Sequence, residues 1–102
     1  MRLIKPATIA AWIKAHATAR SSLSSWRTVV LAARWKSFAD LRHTFSTADQ
    51  VRVASGRIVI VFNIAGNRFR LIAAVHYTTA IVFALRFLTH AEYSKDTWKD
   101  DL

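Results

Sequence analysis

Apolar residues in the first half of the chain recur at helical spacing, whereas between residues 57 and 88 they fill both faces of strand-like runs. Arg2–Ile4 can form a short opening strand. Pro6 suits the first turn of a helix, and Ile9, Trp12, Ile13 and His16 follow at i, i+3, i+4 and i+7. Ser21 or Ser22 can cap a second helix, whose apolar seam is Leu23, Trp26, Val30 and Ala33. Ser37 with Asp40 three residues on is a capping-box pattern, opening a short third helix with Phe38, Leu41 and Phe45 inward. Ser46–Gly56 reads as a polar connection. Three strands then follow, over Arg57–Ile64, Arg68–Tyr77 and Ala80–Leu88, with Ala65-Gly66-Asn67 turning the first pair and Thr78-Thr79 near the second turn. The pattern predicts an α+β domain: an N-terminal strand and helices packed on an antiparallel β meander. The apolar residues on both faces predict partial cover of each, and the side away from the helices is left for a ligand or partner.

A chain of 102 residues has room for one hydrophobic core, so residues 1–102 are expected to form a single domain. Cysteine is absent, which excludes disulfides and thiolate metal sites and suits a reducing compartment. Charge changes the picture most. From Arg2 to Arg86 thirteen Lys and Arg face only Asp40 and Asp49, a balance of +11, while the segment from Phe87 onward carries −2. So basic a body attracts a polyanion: nucleic acid, an anionic membrane or an acidic protein. The longest uncharged apolar stretch, Ile58–Ile64, is far short of the roughly 20 residues that span a bilayer. Lys5 followed by Pro6–Ile13 and Ala15-His16-Ala17 has the outline of a signal peptide, but Lys14 falls where the apolar region should meet its cleavage site. An amphipathic helix and a cytoplasmic protein are the expectation, with no membrane partner.

Arg68 and Arg70, two apart on a strand, point to one face. A two-residue turn centred on Ala65-Gly66 or on Gly66-Asn67 adds Asn63, Val61 and Arg57 to that face and sends Phe69 and Leu71 into the core. Paired guanidiniums cradle a phosphodiester well, because each stays charged and presents several donors. From spacing alone, a solvated strand face explains the pair equally well. The third strand runs into Thr89-His90-Ala91-Glu92-Tyr93-Ser94-Lys95, where Thr89 and Glu92 form a second capping-box pattern. That makes Glu92 a cap rather than a base. His90 and Tyr93 share one side of the resulting turn, whose free amides favour an anion, and the two could exchange protons with a phosphodiester. From the residues alone the simpler reading is favoured, in which His90 ends the strand and Tyr93 packs. Arg86 depends on register: if cross-strand pairs sum to 156 it lies opposite Arg70, and a shift of one moves it to the other face. His16, His43 and His76 lack metal-ligand spacing, and the tryptophans fall mostly at core positions.

The run Val61-Phe62-Asn63-Ile64-Ala65-Gly66-Asn67-Arg68-Phe69-Arg70-Leu71-Ile72 resembles the central hairpin of the HigB family of bacterial toxins, approximately V-F-N-I-x-G-N-x-Y-R-L-I. Thr89-His90-Ala91-Glu92-Tyr93, with Lys95, is similar to that family's T-H-x-E-Y-D-K block. Ala33-Arg34-Trp35-Lys36-Ser37-Phe38-Ala39-Asp40 is similar to its A-x-W-K-x-P-A-D segment. Order and spacing agree over nearly the whole chain. Three positions depart from the pattern: Ser94 replaces aspartate, Phe38 replaces proline, and Leu88 stands where many members have glycine. The first two helices are also poor in glutamate.

The resemblance implies the compact RelE/ParE-like α+β fold and the toxin half of a toxin–antitoxin pair. It also implies a metal-independent endoribonuclease, needing no cofactor, that cuts mRNA in the ribosomal A site and is neutralised by a cognate helix-turn-helix antitoxin. The residues it carries over are Arg68, Arg70, His90 and Tyr93 as catalytic candidates and Lys95 as a backbone contact. Asn63, Arg57 and Arg86 join the RNA-binding set from the strand geometry. Two other functions fit the same sequence: a toxin of this fold acting on a protein such as a topoisomerase, and a non-catalytic basic nucleic-acid-binding module.

Overall fold

The computed structural model describes residues 1–4 and 6–102; Lys5, the basic residue of the signal-like pattern, lies outside them. The order is β1 (Arg2–Ile4), α1 (Pro6–Ala15), α2 (Arg20–Ala32), α3 (Phe38–Thr44), β2 (Asp49–Arg52), β3 (Ile58–Ile64), β4 (Phe69–His76), β5 (Ile81–Thr89) and α4 (His90–Ser94). Short 3-10 turns at Ala17–Ala19 and Thr97–Asp100 precede α2 and follow α4. The strands form one sheet in the order β1-β5-β4-β3-β2. The expected α+β class holds, with a mixed sheet: β2 to β5 are antiparallel, but β1 pairs parallel to β5, Leu3 against Val82.

The helices cover one face. Ile9 from α1, the Leu23, Trp26 and Val30 seam of α2, and Leu41 from α3 are buried against Ile60, Phe62, Ile64, Leu71 and Phe87. Trp12 stacks on Phe87 at 5.5 Å, and His16 meets Phe69 edge-on at 5.2 Å, so the α1 periodicity is realised as packing. The other face carries a second cluster of Val53, Val59, Val61 and Ile72, sealed by Trp98 from the C-terminal 3-10 turn. That turn is tied down by the amide of Ala54 donating to the Lys99 carbonyl at 3.0 Å and by Ser55 Oγ donating to the Leu102 carbonyl at 2.7 Å.

Several boundaries differ from expectation for definable reasons. Neither Ser21 nor Ser22 caps α2; its N-cap is Ala19 with no side-chain bond. The preceding 3-10 turn does that work, the amide of Arg20 donating to the Ala17 carbonyl. Within Ser46–Gly56 lies β2, a charged edge strand whose one aliphatic residue, Val51, hides it from a period-2 reading. At α3, Ser37 Oγ accepts from the Asp40 amide at 3.3 Å, but the short Asp40 carboxylate accepts from Lys36 rather than closing the box on Ser37.

The β4–β5 ladder contains the decisive irregularity. Ala73 pairs with Ala84, whereas Ile72 pairs with Arg86, so Leu85 is an extra residue. Two residues of β5 oppose one of β4, and facing reverses beyond the bulge. Val82 and Ala84 face the helices before it and Phe87 after it, while Leu85 and Leu88 join the cluster on the opposite side. Arg86 Nη1 donates to the carbonyl of Leu85 at 2.8 Å, satisfying the oxygen of the unpaired residue.

Among the described residues three non-glycine residues have left-handed backbones, Ala80 at the β4–β5 turn with φ 56° being one. A non-glycine residue in that region is disfavoured by about 1–2 kcal/mol, against about 0.5–1 kcal/mol for the greater unfolded-state freedom of glycine. Ala80→Gly is therefore expected to raise stability by about 0.5–1 kcal/mol. A urea midpoint at or below that of the parent protein would contradict this account of the turn.

Candidate functional site

The residues flagged by chemistry gather where the β3–β4 hairpin meets α4. The turn occupies four residues, Ala65–Arg68, with φ of 54° at Ala65 and 68° at Gly66. Its register pairs Ile64 with Phe69 and Asn63 with Arg70, the pairing expected of the turn centred on Gly66-Asn67. Arg68 therefore belongs to the turn and not to the strand. Its carbonyl accepts the amide of His90 at 2.9 Å, which locks the start of α4 to the hairpin.

Arg70 is half-buried on the face away from the helices, between Asn63 on β3 and Leu88 on β5. Its Nη1 donates to the Phe69 carbonyl at 3.1 Å, and its Cζ lies 5.5 Å from the centre of the Tyr93 ring. Tyr93 in turn stacks on Trp98 at 5.4 Å with 20° between the planes, and Lys99 Nζ lies 5.7 Å from the Trp98 ring. Trp98 Nε1 donates to the Tyr93 carbonyl at 3.1 Å. Each of the two stacked rings is thus approached by one cation, Arg70 at Tyr93 and Lys99 at Trp98. Nothing in the spacing of Trp98 distinguishes it from a core tryptophan, yet its ring packs beside the candidate site.

α4 begins with a complete capping box: Thr89 Oγ1 accepts from the Glu92 amide at 3.2 Å and Glu92 Oε1 accepts from the Thr89 amide at 3.0 Å. The amides of His90 and Glu92 are thus occupied, which removes two of the anion-binding donors expected at this turn. Ser94 organises the histidine. Its Oγ lies 2.9 Å from the His90 carbonyl, to which it can donate, and 3.0 Å from His90 Nδ1; both contacts are made together when Nδ1 carries a proton. That arrangement turns Nε2 away from Ser94. The serine that departs from the aspartate pattern thus ties the ring to its own helix.

Arg86 is brought to the same face as Arg70, but not directly opposite it. Its cross-strand partner is Ile72, and Leu88 faces Arg70, so neither the register summing to 156 nor a uniform shift of one describes the ladder. The bulge restores Arg86 to this side. Arg86 and Lys95 line an open depression of about 260 Å³ with Leu88, Glu92, Trp98 and Asp101. Arg57 does not join them: it precedes the far end of β3, six residues from Asn63, or roughly 20 Å along a strand. A hollow of about 310 Å³ between α2 and β3 is lined by Ser21, Ser25, Trp26 and Phe45 among others, and none of the titratable candidates borders it.

Among the described residues the one ion pair is Lys99–Asp96 at 3.4 Å, so Arg68, Arg70, Arg86 and Lys95 have no carboxylate partner. This end of the sheet brings together cations without a carboxylate partner, an imidazole and a phenol on a basic α+β scaffold. Its class is that of the RelE-like toxins. Residues 19–96 match the family model HigB_toxin, the RelE-like toxic component of a toxin–antitoxin system, and the chain belongs to that family. It is accordingly the toxin component of such a system, whose partner is an antitoxin. No curated protein is similar enough to the chain to count as a relative. Among the described residues no helix is long and apolar enough to cross a membrane.

Hydrogen bonds from Thr89 hold the Glu92 carboxyl below its ordinary value of 4.5. A depressed folded value means that the carboxylate supports the cap above pH 4.5 and loses that role as pH falls through the lower folded value. The protection of the Thr89 amide, exchange taken relative to its intrinsic rate at each pH, should fall in that acid window in the wild-type protein. In Glu92→Gln, which caps without titrating, no such step is expected. An identical acid step in both proteins would place the titration elsewhere.

Proposed function

We propose that this toxin, folded as a single domain over residues 1–102, is an endoribonuclease that cuts mRNA on the ribosome in the cytoplasm. The observation that carries the proposal is the interlock of hairpin and α4. Arg70 lies against Tyr93 at 5.5 Å, and the Arg68 carbonyl holds the amide of the oriented His90 at 2.9 Å. Family membership and the +11 balance over residues 2–86 support a polyanionic substrate.

In this mechanism Arg68 and Arg70 hold the scissile phosphate. His90 Nε2 takes the proton of the ribose 2′-hydroxyl as that oxygen attacks phosphorus. The 5′-oxygen departs and takes a proton from water, leaving a 2′,3′-cyclic phosphate and a free 5′-hydroxyl. Arginine charge stabilises the extra negative charge at phosphorus, and Tyr93 orients the 2′-hydroxyl or stacks on a base. Asn63 supports Arg70 from the neighbouring strand, while Lys95 and Arg86 contact the RNA beside the scissile phosphate. Proton transfer runs through the imidazole and needs no metal or cofactor. A cognate helix-turn-helix antitoxin would silence the activity.

Induction without a partner is expected to arrest growth and to cleave mRNA only when it is being translated. Arrest without mRNA cleavage would point instead to a protein target such as a topoisomerase. Arg70→Ala should lower single-turnover cleavage by about 10²–10³ while preserving the fold. His90→Gln should keep ribosome binding and lose about 10²–10⁴ in cleavage rate, with chelators having no effect on the wild-type protein. Wild-type rates in both variants would remove the phosphate cradle and the base together.

A further inference from the structure

The depression beside the arginine–tyrosine–tryptophan column has the wrong charge pattern for a phosphate. Arg86 and Lys95 border it, but so do Glu92 and Asp101, with Leu88 and Trp98 as apolar walls. No ion pair joins these four charges. Glu92 Oε1 is committed to the Thr89 amide, and Arg86 reaches the Leu85 carbonyl. Asp101 and Lys95 carry no side-chain hydrogen bond among the described residues. A phosphate placed here would meet two carboxylates; a neutral, planar ligand with both donors and acceptors would satisfy both signs.

We propose that the depression is a nucleobase subsite for the residue flanking the scissile phosphate, and that it favours guanine. The proposal rests on the RNA-cleaving reading of the adjacent site. Leu88 is the direct cross-strand neighbour of Arg70 and Trp98 stacks under Tyr93, so the depression opens beside the phosphate cradle. Guanine presents N1–H and the 2-amino group as paired donors suited to the Asp101 carboxylate. Its O6 and N7 are acceptors suited to Arg86 or Lys95. Uracil has one N–H and adenine one amino group, and neither offers a paired donor edge. Trp98 and Asp101 come from the C-terminal turn beyond residue 96, whereas Arg86, Leu88, Glu92 and Lys95 lie within the segment matched by the family. The about 260 Å³ available accommodates a purine.

Two measurements test it. In the first, ¹⁵N-labelled protein is titrated with GMP, AMP, CMP, UMP and inorganic phosphate. GMP should shift the Trp98 indole and Asp101 amide signals and bind about tenfold tighter than the other nucleotides, an advantage lost in Asp101→Asn. Equal binding of the four nucleotides, or the same shifts with phosphate alone, would overturn the subsite. In the second, cleavage sites on ribosome-bound mRNA are mapped. Asp101→Asn should lower kcat/KM about tenfold at guanine-flanked sites and leave other sites unchanged, while Asp100→Asn, outside the depression, changes neither. Cleavage with a site profile untouched by Asp101→Asn would reject the subsite and leave the nuclease standing. If the wild-type protein cuts no RNA, the nuclease reading fails and the GMP titration alone decides the subsite.

Discussion

One extra residue in β5 decides which side chains the sheet presents to each face. Without Leu85 as a bulge, the pairing of Ala73 with Ala84 would continue and place Arg86 opposite Leu71, against the helices. A guanidinium there would displace a fully buried contact and sit among Trp26, Phe62 and Phe69. The desolvation of an unpaired charge in such surroundings would cost several kcal/mol. The bulge instead delivers Phe87 to that core and Arg86 with Leu88 to the other side. Its usual drawback, a stranded backbone group, is offset because Arg86 donates to the Leu85 carbonyl.

The second hydrophobic cluster links this register to the candidate chemistry. Val59, Val61 and Ile72 would be a water-exposed strip were Trp98 not laid across them. Burying that indole draws the C-terminal turn onto the sheet, and the ring then becomes the floor on which Tyr93 stacks. Arg70 also lies against the Tyr93 ring, so apolar burial at Trp98 helps set the surroundings of this guanidinium. The hairpin contributes from the other direction, through the Arg68 carbonyl and His90 amide. Packing and polar contacts therefore hold α4, a helix too short to persist alone.

Features encoded in local periodicity were legible in the sequence. The Leu23, Trp26 and Val30 seam, the Thr89–Glu92 cap and the shared face of Asn63 and Arg70 follow from spacing and short-range hydrogen bonding. What escaped depends on contacts remote in sequence. The parallel partner of Arg2–Ile4 lies some eighty residues away. β2 is recognised only by its ladder with β3, and the bulge at Leu85 leaves no composition signal. Arg57 shares a facing parity with Asn63 but not a location, because parity repeats along the whole strand while a site occupies one end of it. Arg68 has the parity of a strand-face residue, but the four-residue turn takes it out of the strand.

Ser94 shows why a departure from a family pattern has to be judged by geometry. An aspartate after Tyr93 would bring a charge; serine brings one proton and lone pairs, and both are used. The proton goes to the His90 carbonyl one helical turn back, an ordinary serine bond within a helix. The lone pair facing Nδ1 then accepts from the ring, and only the Nδ1–H tautomer completes both bonds. An aspartate at the same position would also accept from Nδ1, but would bring a negative charge to the end of the turn. Serine makes both contacts without a charge, so the departure from the pattern leaves the ring tied to its own helix.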